Sequence, residues 1–245
     1  MNTLQNFQQG FADLVSINNL LTETVQVEIK PLTAKQAIGA PARQDFPIQK
    51  GKERILEAKF KGSAGQAFTD SFRDYQGTIA DLLELDLGNR FNASIFSAAA
   101  NAILRHLGLV QGTVHCRDQE PSQCAPKLIE YLSNKHPDCK SVALVGLQPA
   151  MCEALAQHYD LGVLDLDPDN IGQKMAGALI RDGRQDLAEV IGQSDLVLAT
   201  GSTLGNNSIG SVLAAAGGRP VVFFGVTISG AAELLGLERF CPLGH

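Results

Sequence analysis

Apolar residues in the second half of the chain form short continuous runs, each followed by small residues and then by a helix-like stretch. The runs SVALV, GVLDLD, DLVLAT and PVVFFG all lie within residues 141–236. Such runs are typical of strands that are buried on both faces of a parallel sheet. The pattern therefore predicts four neighbouring parallel strands near residues 142–145, 162–166, 195–199 and 220–224.

The first half shows other periodicities. Apolar residues at helical spacing predict an amphipathic helix over residues 4–21. Alternating apolar residues predict two half-buried strands that pair antiparallel, Thr24–Lys30, ended by Pro31, and Arg54–Lys61. The segment GSAGQAFTDS is rich in glycine and small polar residues and predicts turns rather than a strand. Helices are predicted in LTAKQAIGAP, over Thr78–Leu85 and over Asn92–Leu107.

The order of these elements changes along the chain, and this change predicts the fold class. Strands followed by helices are typical of an α+β unit, here residues 1–110. Strict alternation of strand and helix over residues 111–245 predicts a Rossmann-like parallel-sheet domain. The boundary falls near Gly108–Gly112, without a long linker, so the two domains are expected to pack together and to form a cleft.

Composition and charge narrow the class of protein. The net charge is −6 and no block of lysine or arginine is present, which argues against a nucleic-acid partner. No apolar stretch approaches the ~20 residues of a membrane span, and the N-terminus lacks the pattern of a signal peptide. The five scattered cysteines form no C-x-x-C pair and favour the reducing cytoplasm. A monomer and a homodimer remain equally open.

The segment TVHCRDQEP contains a candidate metal site. Its imidazole and thiol, His115 and Cys116, are donor types that suit a transition-metal ion. The alternative is structural: Cys116 packs in the core, His115 makes one hydrogen bond, and Asp118 or Glu120 caps the next helix.

Two further polar clusters follow predicted strands. The turn after SVALV keeps only the first glycine of a dinucleotide-binding motif, Gly146, but Asp165 and Asp167 follow about twenty residues later, where a ribose-binding acid would lie. In DLDPDNIG, Asp165, Asp167 and Asp169 alternate, and carboxylates that point the same way would attract a hard cation or hydroxyl and amine groups. The alternative is a turn in which Asp169 caps a helix.

The segment TGSTLGNNS, which begins at Thr200, offers more small polar groups than one helix cap requires. A tight turn at Gly201 would point backbone amides, and the side chains of Ser202, Thr203 and Asn206, at an anion such as a carboxylate or a phosphate. Ordinary N-capping is the alternative. GVTISG, with Thr227, repeats the arrangement after the last predicted strand.

Taken together, these strings resemble the family of heavy-metal chelation domain proteins. The resemblance rests on LTAKQAIGAP, GQAFTD, NAILRHLGL, TVHCRDQEP, VLDLDPDNIG, TGSTLGNNSI and FFGVTISGAAELLGLERFC. It implies an N-terminal domain similar to the enolase N-terminal domain, a Rossmann-like C-terminal domain, and a ligand site between them. By the same resemblance, the residues that line or support that cleft would be Gln66, Asp70, Asn101, His115, Cys116, Asp165, Asn170 and Thr200–Asn206.

Two functional hypotheses follow. The first is a cytoplasmic protein that binds a metal ion or a metal–metabolite complex, with His115, Cys116 and Asp167 as metal donors and an anionic part of the ligand on the Thr200–Asn206 loop. The second is an enzyme that acts on a nucleotide-like or pterin-like molecule through Asp165. The sequence leaves open which transition metal is bound, which small metabolite is bound and whether a reaction is catalysed.

Overall fold

The computed structural model describes residues 3–22, 28–43, 45–50, 54–70 and 75–245. The helices are α1 Thr3–Ile17, α2 Ala34–Ile38, α3 Ile79–Leu83, α4 Arg90–His106, α5 Glu120–Lys135, α6 Pro149–Leu155, α7 Leu187–Gly192, α8 Ser202–Gly205, α9 Ile209–Ala216 and α10 Ser229–Leu235. The strands are β1 Glu28–Leu32, β2 Arg54–Phe60, β3 Ser63–Thr69, β4 Ser141–Val145, β5 Asp160–Asp165, β6 Lys174–Met175, β7 Ala178–Asp182, β8 Leu196–Thr200, β9 Val221–Phe224 and β10 Glu238–Phe240.

The second half folds into a seven-stranded sheet in the order β10-β9-β8-β4-β5-β7-β6. All neighbours are parallel except β6, which pairs antiparallel with β7. The six parallel strands, numbered along the chain, have the order 3-2-1-4-5-6 of the doubly wound fold, in which ligands bind where the order reverses. That point lies between the carboxyl ends of β4 and β8. The four predicted strands are neighbours and parallel, as expected; β7 and β10 were not predicted.

The first half forms a three-stranded antiparallel sheet in the order β1-β2-β3. The predicted pairing of the first two strands is confirmed. Strand β1 continues through Pro31 to Leu32, which corrects the expectation that Pro31 ends it, and β1 lies at the edge, where a missing amide donor is tolerated. Residues 23–27 of the predicted strand lie outside the described residues. Helix α1 ends at Ile17, whose side chain is 79% exposed, and not near residue 21.

Strand β3 replaces the turns expected in GSAGQAFTDS. A turn at Lys61 and Gly62, with φ of 45° and 85°, returns the chain so that β3 pairs with β2. Gly65 lies against α4, where a Cβ would stand 2.2 Å from the backbone nitrogen of Ala102. The small residues that suggested turns are therefore those that let a long helix pack closely on this strand.

The hydrophobic core joins the two halves of the chain. One buried cluster contains residues of α1 and α4 together with one face of the parallel sheet and the helices α7, α9 and α10. A second cluster fills the other face, beneath α5 and α6. Among the described residues, no helix combines the length and the hydrophobicity needed to cross a membrane.

Candidate functional site

A cavity of about 750 Å³ lies at the carboxyl ends of the parallel strands. Its volume falls within the range of about 300–1,000 Å³ typical of small-molecule sites. Both halves of the chain contribute to its wall, for example Phe68 and Ser94 from the first half and Val145, Leu164 and Phe224 from the second. Most of the sequence-predicted site residues line it: Asp70, His115, Cys116, Asp165, Asp167, Asn170, Thr200, Gly201, Ser202, Thr203, Asn206 and Thr227.

The turn after β4 depends on its glycine and on Asp165. Gly146 has a φ of 88°, and a Cβ there would stand 2.5 Å from Cγ2 of Thr200. The Asp165 carboxylate accepts hydrogen bonds from the amides of Leu147, at 3.0 Å, and Asp167, at 2.8 Å. Asp165 thus fastens the turn after β4 to the turn after β5, and its carboxylate lies at the cavity wall.

The predicted strand-to-helix turn after β8 is present. Gly201 has a φ of −59°, which any residue adopts, but a Cβ would stand 2.9 Å from the amide nitrogen of Ile228. The amides of Ser202 and Asn206, expected to face an anion, donate instead to Oγ1 of Thr200 and to the Ser202 carbonyl. The hydroxyls of Thr200 and Ser202 lie 3.3 Å apart in the cavity wall. Hydroxyls, more than amides, are therefore the polar groups that this turn presents.

The other polar side chains of this turn bond within it. The Thr203 hydroxyl donates to the Thr200 carbonyl at 2.8 Å, and Oδ1 of Asn206 accepts from the amide and hydroxyl of Ser208. Below, the turns at Gly146–Gln148, Asp165–Asn170 and Thr200–Asn206 are called the polar turns.

Gln66 and Asn101 are not among the described residues that line the cavity. The buried Asn101 amide donates to the Gln66 and Val226 carbonyls and accepts from the Gly230 amide. The Gln66 side chain donates to Glu57 and accepts from the His115 amide. The two residues therefore hold the halves of the chain together beneath the cavity.

Thr227 also bonds between the halves of the chain. Its hydroxyl accepts from the Phe68 amide at 2.9 Å, and the residue lines the cavity.

His115 is partly buried, and its ring lies edge-to-face against Phe68. Nδ1 lies 2.6 Å from the carbonyl oxygen of Cys116. Since a carbonyl oxygen only accepts, Nδ1 carries the proton of the neutral ring and Nε2 is the nitrogen able to accept. Burial lowers the pKa of this imidazole, and the Cys116 carbonyl opposes that shift.

Cys116, Cys124 and Cys241 form a group that we call the thiol cluster. All three line the cavity, as does Met151. Cys116 and Cys124 are buried in the same apolar cluster as Met151 and Phe240. A hydrogen-bonding interaction with the Cys116 thiol lowers the pKa of Cys124, and the same interaction, with burial, raises the pKa of Cys116. Burial raises the pKa of Cys241.

The segment from α2 to residue 50 covers one side of the cavity. Ile38, Phe46 and Ile48 line the cavity and pack in a small apolar cluster of their own. Arg43 joins this segment to α6 through two hydrogen bonds to Glu153, at 2.7 and 2.9 Å. The cover is thus anchored to the Rossmann-like half.

No group of three or more His, Cys, Asp or Glu side chains in the described part of the chain is arranged to hold a metal ion. His115, Cys116 and Asp167 all line the cavity but do not come together as one such group. The cavity wall also contains basic side chains. Arg90 forms an ion pair with Asp70 at 3.1 Å, and Arg184 contributes a second cation.

Sequence reasoning missed several lining residues. Cys241 directly follows β10, much as Asp165 and Thr200 stand at the ends of β5 and β8. If β10 had been predicted, Cys241 would have been recognised as a candidate site residue. Cys124 lies one turn inside α5, where its spacing from Cys116 matches no known metal motif. Phe46 and Ile48 belong to a segment without clear periodicity. Arg90 and Arg184 gave no signal beyond their charge.

Comparison with known proteins gives a match to a family model over part of the chain and a similar fold. Residues 129–238 match the model of the family DUF364, described as "Putative heavy-metal chelation". A DUF364 protein of unknown function from Pyrococcus horikoshii has a similar structure, with a TM-score of 0.52 and 11% identity over 92% of this chain and 79% of its own. A DUF364 protein of unknown function from Desulfitobacterium hafniense DCB-2 gives a TM-score of 0.50 and 16% identity over 92% and 83%. No curated protein matches the chain significantly.

Proposed function

We propose that this chain, whose residues 129–238 match the model of the heavy-metal chelation family DUF364, binds a metal–metabolite complex in the cavity at the strand ends. The observation that carries the proposal is the cavity itself. A volume of about 750 Å³ is far larger than a bare metal ion and suits an organic molecule that brings some of the metal's ligands with it.

The chemistry of the wall supports an organic ligand with polar edges. Hydroxyl or amine groups of a ligand can form hydrogen bonds with the Thr200 and Ser202 hydroxyls and with the carboxylates of Asp165 and Asp70. A carboxylate of the ligand can form an ion pair with Arg90. Val145, Leu164 and Phe68 provide apolar contact. In this proposal Asn170, Thr203, Asn206 and Thr227 shape the wall, Gln66 and Asn101 support it from below, and His115, Cys116 and Asp167 are the candidate metal donors.

A second candidate function rests on the position of Asp165. This residue ends the second parallel strand of the 3-2-1-4-5-6 order, about twenty residues after Gly146, where dinucleotide-binding proteins bind ribose. The geometry favours an enzyme or binding protein for a nucleotide-like or pterin-like molecule without a pyrophosphate. Helix α6 has only seven residues and begins with Pro149, so it lacks one amide of a phosphate site.

The test begins with the untagged chain isolated anaerobically from cells without chelators. Native mass spectrometry and elemental analysis of the same sample should show one bound organic molecule together with a metal. Ser202→Phe would place a ring in the cavity and should abolish both, whereas Ser133→Phe, on the exposed face of α5, should retain both. An organic ligand without metal would favour the second candidate. Equal ligand content in the two variants would contradict both candidates.

A further inference from the structure

We propose that the thiol cluster binds one soft, thiophilic metal ion of the Cu(I) class, with Cys116 and Cys124 as the two thiolate donors. This inference rests on the proposed function, because it names the metal class and the protein donors within the same cavity. The sequence pattern predicted neither the proximity of Cys116 to Cys124 nor the presence of Cys241 in the cavity wall.

Sulfur atoms collect in one part of the cavity wall. Four sulfur-bearing side chains line one cavity, namely Cys116, Cys124, Cys241 and Met151. They come from three separate places in the chain: the segment before α5 together with α5, helix α6, and the residue after β10. Thiolate and thioether are the ligand types that select Cu(I) over the hard ions that prefer oxygen.

Cu(I) accepts a low coordination number. It is stable with two thiolates in a linear arrangement, so a site for it does not need a group of three His, Cys, Asp or Glu donors, which the described residues do not form. Cys116 and Cys124 are buried in the same apolar cluster and line the same cavity, and neither forms a disulfide. Cys241 or Met151 can supply a third, weaker sulfur contact from the same wall.

Exclusion of solvent also favours a soft ion at this place. Binding of one Cu(I) with loss of a proton from each thiol leaves a complex of net charge −1. The two donor cysteines are only 6% and 7% exposed, and Leu128 and Phe240 belong to the same apolar cluster. A buried pair of sulfur donors in an apolar environment suits a soft ion better than a strongly hydrated one.

The test is an anaerobic titration of the reduced full chain with Cu(I) against a colorimetric Cu(I) chelator. The wild type should bind one Cu(I) per chain, with thiolate-to-copper absorption in the ultraviolet. Cys124→Ala and Cys116→Ala should each weaken binding by more than about 100-fold, which exceeds the 10–100-fold typical of residues that only support a ligand. Cys139→Ala removes a half-buried thiol outside the cavity and should change nothing.

X-ray absorption at the copper edge of the wild type keeps the test independent of how the variants fold. Two or three sulfur neighbours are expected, and a shell of nitrogen and oxygen would overturn the proposal. Unchanged affinity in both cysteine variants would also overturn it. If the wild type binds Cu(I) as described but Ser202→Phe and Ser133→Phe carry the same amount of organic ligand, only the proposed function fails. If Ser202→Phe loses the organic ligand as expected but the wild type does not bind Cu(I), only this inference fails.

Discussion

The polar turns and the thiol cluster line the same cavity, but they differ in how their chemical groups are used. Asp165 fastens two turns by accepting two amides, and the amides of Ser202 and Asn206 bond within their own turn. Cys116 and Cys124, in contrast, are buried in an apolar cluster, and the Cys116 thiol lies 3.8 Å from Nδ1 of His115. The polar turns are thus needed for the fold as well as for any ligand. The thiols differ, because a small apolar residue in their place would stabilise the fold almost equally well.

This contrast explains why polar residues at strand ends are weak evidence for a ligand site: many of them stabilise the turn in which they lie. The surplus of small polar residues after β8 indicated an anion site, yet most of it stabilises the turn. A buried pair of thiols beside a cavity has no comparable structural requirement, because free cysteine otherwise behaves as a small apolar residue. Its presence is therefore the more informative feature.

The largest expected effect is at Gly146 in the polar turns. Gly146→Ala should lower the free energy of unfolding by about 2–5 kcal/mol, because its positive φ is strained for alanine and the new Cβ would clash with Thr200. Gly172→Ala is the matched control, since its φ is 83° but nothing lies within 4 Å of a Cβ there. Urea denaturation of both variants measures the difference. Equal losses would mean that the turns after β4 and β8 are not tightly packed.

A smaller loss is expected from Asp165→Ala. It removes the acceptor of two backbone amides, so the free energy of unfolding should fall by about 2–3 kcal/mol. Asp160→Ala, at the exposed start of the same strand, should change it by less than about 0.5 kcal/mol. Chemical denaturation compares the two variants. If Asp165→Ala leaves the free energy of unfolding unchanged, the two hydrogen bonds do not hold the turns together, and the contrast with the thiol cluster fails.

The thiol cluster should tolerate substitution. Cys124→Ala should cost about 1 kcal/mol or less of stability, because the removed sulfur lies at an existing cavity and leaves little new void. Cys152→Ala, at a fully buried position that does not line the cavity, should cost more. Thermal denaturation in the metal-free state ranks the two. A larger loss at Cys124 would show that the thiols are structural.

The smallest effect concerns pH. Burial lowers the pKa of His115 in the folded state. Just below pH 6.5 the unfolded chain therefore binds a proton at this residue that the folded chain does not bind. Stability should therefore be unaffected by this residue well above pH 6.5 and should fall as the pH drops below it. His115→Asn should flatten the profile between neutral pH and about pH 5, where carboxylates begin to contribute. An unchanged profile would mean that His115 has the same pKa in the folded and the unfolded chain.

Most of the parallel sheet was predictable from sequence, and part of the site was not. Strands such as β4 and β8 are buried on both faces and appear as continuous apolar runs, whereas β3 is built of small residues that fit beneath α4 and resembles a turn. Cavity-lining residues at the ends of predicted strands, such as Asp165 and Thr200, were singled out by the sequence. Cys124 and Cys241 were missed because their proximity depends on packing between α5 and β10, which no local spacing records.

The most direct measurement is diffraction from crystals of the full chain isolated anaerobically without chelators, with data collected at the absorption edge of the metal found by elemental analysis. The account predicts one anomalous peak inside the cavity, next to the thiol cluster, and density for an organic molecule that reaches the polar turns. A cavity filled only by water, or a metal peak confined to the protein surface, would contradict it.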